Sequence, residues 1–445
     1  MKATRRQFLQ SAGAGLAAAQ GPETTSRISA NDTIQLALIG AGGMGFGDAR
    51  MASSLPGVKL VAACDLYDGR LIRAREVFGN DIAVTRDYRE VLARRDVDAV
   101  IIATPDHWHF QIAADALAAG KDVYLEKPMV QKIEQGKPLI DAAARSGRIL
   151  QVGSQYVSSV IYHKTRDLIR AGAIGQVNMV EAWLDRNTAI GAWQYSIPPD
   201  ASPETVDWER FLGPAPKRPF DPVRFFRWRN YRDYGTGVAG DLFVHLLSGL
   251  HVALDSPGPT RVFATGGLRF WKDGRDVPDV MLALLDYPAT EAHPEFTLAL
   301  RVNFKSGVPG EQFGFRFVGS EGTIRAGASV VLSKTPPEAE PGYMIDTFPQ
   351  AVQREFLRQY RQKYPERPVT ADGLRPDEEQ VFTPPRGYNA HVEHHKNFIA
   401  AVRSRQPVVE DAVFGFRAAG PALLCLVSFF EQRICRWDPR QMTAS

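Results

Sequence analysis

The sequence predicts an α/β protein in two folded parts. A doubly wound parallel sheet comes first, and a second α/β domain on a largely antiparallel sheet follows. Three observations carry this. Short apolar runs alternate with helix-like stretches from residue 34 to about 152. The first run ends in a cluster of glycines, LIGAGGMGFG at 38–47. Beyond about residue 156 the apolar residues switch to a period of two. Strand and helix in alternation imply right-handed crossovers and a parallel sheet, whereas period two implies a sheet covered on one face.

The elements read in order. Residues 34–39 form a short apolar run that reads as a buried strand. A helix starts at 44–54, and residues 58–64 are a second strand ending at Asp65. Residues 69–78 read as helix, 99–103 as strand and the Ala-rich 110–119 as helix. Strand 122–125, helix 135–146 and strand 149–152 complete the first part. In the second part Leu298, Leu300, Val302 and Phe304 alternate with more polar neighbours, as do Phe313, Phe315 and Phe317. Proline-rich loops are expected around 196–223, 335–343 and 364–386. The boundaries drawn are 1–30 for a leader, 31–155 for the first domain and 156–445 for the second.

The leader stands outside the fold. Thr4-Arg5-Arg6-Gln7-Phe8-Leu9, a small apolar run and Ala17-Ala18-Ala19 resemble a twin-arginine export signal with its cleavage site. A periplasmic location is expected, with a cytoplasmic one as the alternative. The 445 residues suffice for a large core. A net charge of +3 gives no argument for nucleic acid. Cys64, Cys425 and Cys435 read as buried thiols rather than a disulfide framework. No apolar run reads as long enough to span a bilayer, which takes about 20 residues.

Gly40-Ala41-Gly42-Gly43-Met44-Gly45 fits G-x-G-x-x-G between a strand and a helix, and Asp65 stands twenty residues beyond Gly45. This is the Rossmann dinucleotide fingerprint. Gly40 serves the tight turn, Gly42 the approach of the pyrophosphate, and Gly45 the packing of helix on strand. The helix N-terminus offers N–H groups to the anion. Asp65 is expected on the ribose hydroxyls, favouring NAD over NADP, with Arg70 nearby to soften that preference.

Two further stretches, Thr104-Pro105-Asp106-His107-Trp108-His109 and Glu126-Lys127-Pro128, join the glycine loop in a pattern that resembles the Gfo/Idh/MocA family of sugar and inositol oxidoreductases. The resemblance runs from about residue 34 to 430. It implies a C-terminal domain with an open, mainly antiparallel sheet, a lysine at 127 beside the nicotinamide, and assembly into a homo-oligomer. Cofactor contacts are expected at Gly40, Gly42, Gly43, Met44, Gly45, Asp65, Thr104, Pro105, His107, Glu126 and Lys127, with His109 in local packing. Gly240-Asp241-Leu242-Phe243-Val244-His245 resembles the family's D-x-x-x-H motif, which places Asp241 and His245 on one helical face. Oxidising an alcohol needs a base for the hydroxyl proton, and histidine titrates in the right range. The expected catalytic set is therefore Lys127, Asp241 and His245, with Asp241 orienting the histidine or the substrate and no metal.

Ser248 stands where many members carry an aspartate, which leaves the substrate open between a sugar, a polyol and a glycoside. Trp183, Arg186, Trp193 and Tyr195 are candidates for a sugar pocket or for the core. His251 reads as structural. His391, His394 and His395 have helical ligand spacing but read as a packed or solvated face. The run Arg224-Phe225-Phe226-Arg227-Trp228-Arg229 reads as part of the family's sequence before the D-x-x-x-H helix. An exported enzyme has no free NAD pool, so the cofactor is expected to be tightly held and regenerated in place. A second substrate can do this, as can return of the hydride to the same molecule in a glycosidase or epimerase cycle. A non-catalytic sugar and dinucleotide sensor is the remaining alternative.

Overall fold

The computed structural model describes residues 33–335, 344–365 and 379–445. The leader, and most of the two loops expected at 335–343 and 364–386, lie outside the described residues.

The first sheet has six parallel strands: β1 Ile34–Ile39, β2 Val58–Cys64, β3 Ala83–Thr85, β4 Ala99–Ile102, β5 Asp122–Glu126 and β6 Leu150–Gly153. Their spatial order is β3-β2-β1-β4-β5-β6, the doubly wound order of a Rossmann fold. Leu36, Leu38, Val100 and Ile101 are fully buried because helices cover both faces. Those helices are α1 Gly43–Ser53, α2 Asp68–Phe78, α3 Tyr88–Ala93, α4 Asp106–Ala118 and α5 Gly136–Ser146. The strand pattern of the sequence is borne out within a residue or two. β3 and α3 were not anticipated, being three half-buried residues and six residues respectively.

The second sheet has ten strands in the order β14-β13-β12-β11-β7-β10-β9-β8-β15-β16. Its members are β7 Val177–Arg186, β8 Arg261–Gly267, β9 Val280–Tyr287, β10 Phe296–Asn303, β11 Glu311–Gly319, β12 Gly322–Ala326, β13 Val330–Lys334, β14 Glu379–Phe382, β15 Cys435–Asp438 and β16 Thr443–Ala444. Pairing is antiparallel except between β7 and β10. The period of two has its expected cause: on β9 Met281, Ala283 and Leu285 are buried while Leu282 and Leu284 face outward. The covered face packs on α6 Val160–Arg170, α7 Val244–Leu254 and, late in the chain, α10 Ala412–Glu431. Two helices precede α10: the wholly unburied α8 Gln350–Lys363, which the sequence reading did not anticipate, and α9 Ala390–Ser404.

Two findings revise the sequence reading. The 20-residue α10 is long and apolar enough by composition to cross a membrane, contrary to expectation, yet 61% of its most apolar window is buried within the protein. It serves as a core helix: Ser428 Oγ accepts from Ala264 N of β8 at 2.9 Å. Meanwhile α9 returns to the first domain, where Phe398, Ile399 and Val402 share an apolar cluster with Leu36, Leu38 and Ile101. All three cysteines are buried and free.

Candidate active site

A cleft of about 640 Å³ opens at the carboxyl ends of the parallel strands, where the order reverses between β1 and β4. The glycine loop forms one wall, and each glycine there has a separable cause. Gly40 has φ +94°, and a Cβ on it would sit 2.6 Å from the Ala103 backbone. A Cβ on Gly45 would lie 2.1 Å from the Gly40 carbonyl oxygen. Protein packing therefore requires these two. A Cβ on Gly42 would meet only the Arg70 guanidinium at 4.0 Å, and one on Gly43 would meet nothing within 4 Å. Both line the cleft with Met44 at the start of α1, so the room they leave is room for a ligand.

Asp65 is held from below. Its Oδ2 accepts from Ala41 N at 2.8 Å, and its Oδ1 accepts from Tyr67 N at 3.0 Å. Arg70 Nη1 approaches Asp65 at 3.5 Å while its guanidinium lies over the rings of Phe225 and Phe226. Thr104 and Pro105 also line the cleft.

At the other end, Lys127 follows β5 and Asp241 projects from a π-helical turn, Ala239–Phe243, that leads into α7. Lys127 Nζ donates to Asp241 Oδ1 at 2.9 Å and to the Asp241 carbonyl at 3.0 Å. Arg229 Nε donates to the same Oδ1 at 3.2 Å. Burial opposes ionisation of Asp241, but the charges of Lys127 and Arg229 overcome it and hold the carboxyl well below the usual range. His245, on the first turn of α7, also lines the cleft. Burial, then the charge of Lys127, pushes its imidazole well below the ordinary value, so the ring is neutral, and its buried Nδ1 has no partner. Asp241 was expected to orient His245 or the substrate. Its Oδ1 is paired with both Lys127 and Arg229. Ser248 donates to the His245 carbonyl at 3.2 Å.

Glu126 lines the cleft and is buried, and Gln155 donates to its Oε1 at 2.5 Å. Burial, reinforced by neighbouring Asp48, pushes Glu126 well above the usual carboxylate range. Beneath the site, Asp106 Oδ2 accepts from Thr236 N at 3.0 Å and Oγ1 at 2.7 Å. Burial, then the charge of Asp241, pushes Asp106 up to about 7.

His107 corrects the expectation of a cofactor contact. It is buried away from the cleft, with Nε2 2.8 Å from the Phe211 carbonyl and Nδ1 3.3 Å from that of Tyr234. On α4 it faces the second domain, and its neighbour Trp108 lines the cleft instead. His109 bonds the carbonyls of Pro128 and Thr104, the expected local packing. His251 bonds Tyr287 and is structural. Arg186, Trp193 and Tyr195 line the cleft, whereas Trp183 lies under Arg301 on the sheet.

The three late histidines diverge: His391 lines the cleft, His394 bonds Ser158 and Val152, and His395 bonds Asp48. Arg229, Tyr156 and His391 line the cleft, although the sequence reading assigned none of them to the site. The arginine-aromatic run at 224–229 was the available signal for Arg229 and the spacing of the late histidines that for His391, while nothing local marked Tyr156.

The comparisons with known proteins agree with this fold. Residues 34–154 match the model of an oxidoreductase family with an NAD-binding Rossmann fold, and residues 174–263 match that family's C-terminal alpha/beta domain. The two matches support the Gfo/Idh/MocA family. A glycosyl hydrolase family 109 protein of Shewanella sp. (strain ANA-3) is 30% identical over 167 residues, covering 34% of this chain. The aligned region spans 35% of that relative's own length. Among solved structures, a levoglucosan dehydrogenase in complex with NADH is similar with a TM-score of 0.63 and 17% identity, covering 91% of this chain and 99% of that one. A putative myo-inositol dehydrogenase from Sinorhizobium meliloti 1021 has a TM-score of 0.58 and 20% identity, covering 90% and 99%. At these identities the structures establish a shared fold.

Proposed function

We propose that this protein is an NAD-dependent oxidoreductase acting on a sugar, polyol or glycoside, with Lys127, Asp241 and His245 as its catalytic set. One observation carries the reading: an ammonium, a carboxylate and a neutral imidazole line the same cleft as a glycine cradle whose open positions the protein itself does not need. The cradle fits a dinucleotide, with Gly42, Gly43 and Met44 at the pyrophosphate and Asp65 at the adenosine ribose. When bound, NAD supplies the acceptor for a hydride leaving carbon.

The chain's own residues handle the rest. Neutral His245 can take the hydroxyl proton as the C–H bond breaks. The Lys127 ammonium, pinned by Asp241, donates a hydrogen bond to the substrate oxygen as it gains charge. Asp241 holds Lys127 and Arg229 in place and keeps the two cations from repelling each other. The names of the similar structures, a levoglucosan and a myo-inositol dehydrogenase, support a sugar or polyol as substrate.

A second reading draws on the partial likeness to glycosyl hydrolase family 109 proteins. There the oxidation is transient: a ketone acidifies the neighbouring C–H, loss of that proton expels the aglycone by elimination, water adds to the double bond so formed, and the hydride returns to the carbonyl carbon. One assay separates the two. Purified protein is given sugars and glycosides without added NAD, and both reduced nicotinamide and released aglycone are followed. Persistent reduced nicotinamide supports the dehydrogenase, aglycone without it supports the redox-neutral cycle, and neither signal on any substrate refutes catalysis. Export with the cofactor in place belongs to the same proposal, and fractionation of a host with twin-arginine transport tests it.

A further inference from the structure

Between β7 and α7 the chain leaves the second domain and crosses onto the first. The crossing segment, 196–234, is tied down along its length. Tyr67 Oη donates to Asp200 Oδ1 at 2.6 Å. Backbone bonds run from Asp68 N to Thr205 O at 3.0 Å and from Asp207 N to Leu66 O at 2.8 Å. Arg86 Nη2 reaches the Glu204 carbonyl at 2.9 Å, and Trp108 Nε1 reaches that of Phe211 at 3.0 Å. The segment also brings its own apolar cluster, in which Val206, Phe211, Phe225 and Phe226 pack with Tyr67 of the first domain, apart from both main cores.

This segment also walls the cleft. Arg210, Phe211, Phe225 and Phe226 line it alongside Asp65, the residue placed to meet the adenosine ribose. Arg70 stands between the walls, its guanidinium over Phe225 and Phe226 and its Nη1 toward Asp65. The other arginines lining the cleft here also have carboxylate partners: Arg86 has Asp68, Arg89 has Asp87, and Arg210 has Asp207 and Asp87. Asp65 beside these paired arginines suits the unphosphorylated ribose of NAD.

We propose that residues 196–234 form a strap that completes the adenosine end of the dinucleotide site and makes the bound cofactor slow to leave. The inference rests on the dinucleotide reading above and goes beyond it by assigning Arg210, Phe225 and Phe226 to the cofactor site. Departure of the adenosine end requires the strap to part from the first domain. The rate is then set by that local opening as well as by the cofactor's own contacts.

The test is exchange of isotopically labelled NAD from the loaded full-length protein into an excess of unlabelled NAD. The variants are Asp200→Ala, at an exposed position, and Tyr67→Phe, which keeps its ring in the cluster. Each removes the same hydrogen bond to a charged group and should speed exchange on the order of tenfold. Thermal unfolding checks that both still fold. Wild-type exchange over minutes or longer, faster in both variants, supports the strap. Wild-type exchange within seconds, variants no faster than wild type, or failure to retain NAD at all would overturn it. Absence of sugar turnover would sink the oxidoreductase reading without altering these rates.

Discussion

Substitutions at Gly42 and Gly45 should separate what the glycine loop does for the fold from what it does for the ligand. An added methyl at Gly45 would stand 2.1 Å from the Gly40 carbonyl oxygen, 3.1 Å from Leu38 Cδ1 and 3.2 Å from Ala103 Cβ. An ordinary contact is about 3.5 Å or more, so α1 must move off β1 by roughly an ångström. Overpacking of that kind costs about 1–3 kcal/mol, and rigid backbone on one side puts Gly45→Ala at the upper end. At Gly42 the methyl meets only Arg70 at 4.0 Å, and the backbone there is at φ −78°, which alanine adopts freely. Alanine is a poorer N-cap than glycine but narrows the unfolded ensemble, so Gly42→Ala should alter stability by less than about 1 kcal/mol.

The same methyl points into the space assigned to the pyrophosphate. Losing one or two charge-assisted N–H contacts to it costs about 3 kcal/mol, on the order of a hundredfold in affinity. Chemical denaturation of NAD-free protein and calorimetric titration with NAD measure the two effects. The reasoning is wrong if Gly42→Ala binds NAD like wild type, or if Gly45→Ala is as stable as wild type.

Three further outcomes are expected. Asp241→Asn leaves Lys127 and Arg229 unneutralised in a buried site and should cost about 3–5 kcal/mol in denaturant unfolding, with loss of turnover. Asp106→Asn keeps an acceptor for Thr236 while mimicking the protonated acid at every pH. The folded pKa of Asp106 is raised, so its stabilising effect is complete below 3.8 and is lost as pH rises through about 7. The variant should therefore gain on wild type by about 1.4 kcal/mol per pH unit across that window, as measured by unfolding at pH values from about 4 to about 8, and a pH-independent difference contradicts the assignment. His391 meets Tyr156 edge-on, and Tyr156 in turn meets His245, so His391→Ala should raise KM for the sugar severalfold while NAD affinity holds. An equal loss of NAD affinity would place His391 elsewhere in function.

The first domain was legible because each strand is an apolar run between turn signals, and burial on both faces leaves such runs little freedom. The cradle was legible for a related reason, since Gly40 and Gly45 meet a packing demand that only glycine satisfies. Asp241 and His245 could be placed at one site by spacing. Which groups Asp241 would touch could not be read, because Lys127 and Arg229 reach it from other parts of the chain. His107 was misassigned on the same ground: local sequence puts it on α4 but does not say that the second domain covers that face. The strap is a proline-rich loop by composition, and only tertiary contacts such as Tyr67 with Asp200 show where it lies. The apolar α10 was underestimated because a core helix and a membrane span share composition, and burial alone tells them apart.

The central claim is that sugar chemistry and nicotinamide chemistry meet at Lys127. Its most direct test is a single-turnover experiment. Protein loaded with NAD is mixed with a panel of sugars, polyols and glycosides, and the near-ultraviolet absorbance of reduced nicotinamide is followed for wild type and Lys127→Met. The account predicts that at least one substrate reduces the bound cofactor in wild type and that none does in the variant, although the variant still binds NAD. Reduction at the wild-type rate in Lys127→Met, or no reduction by any substrate in wild type, would contradict it.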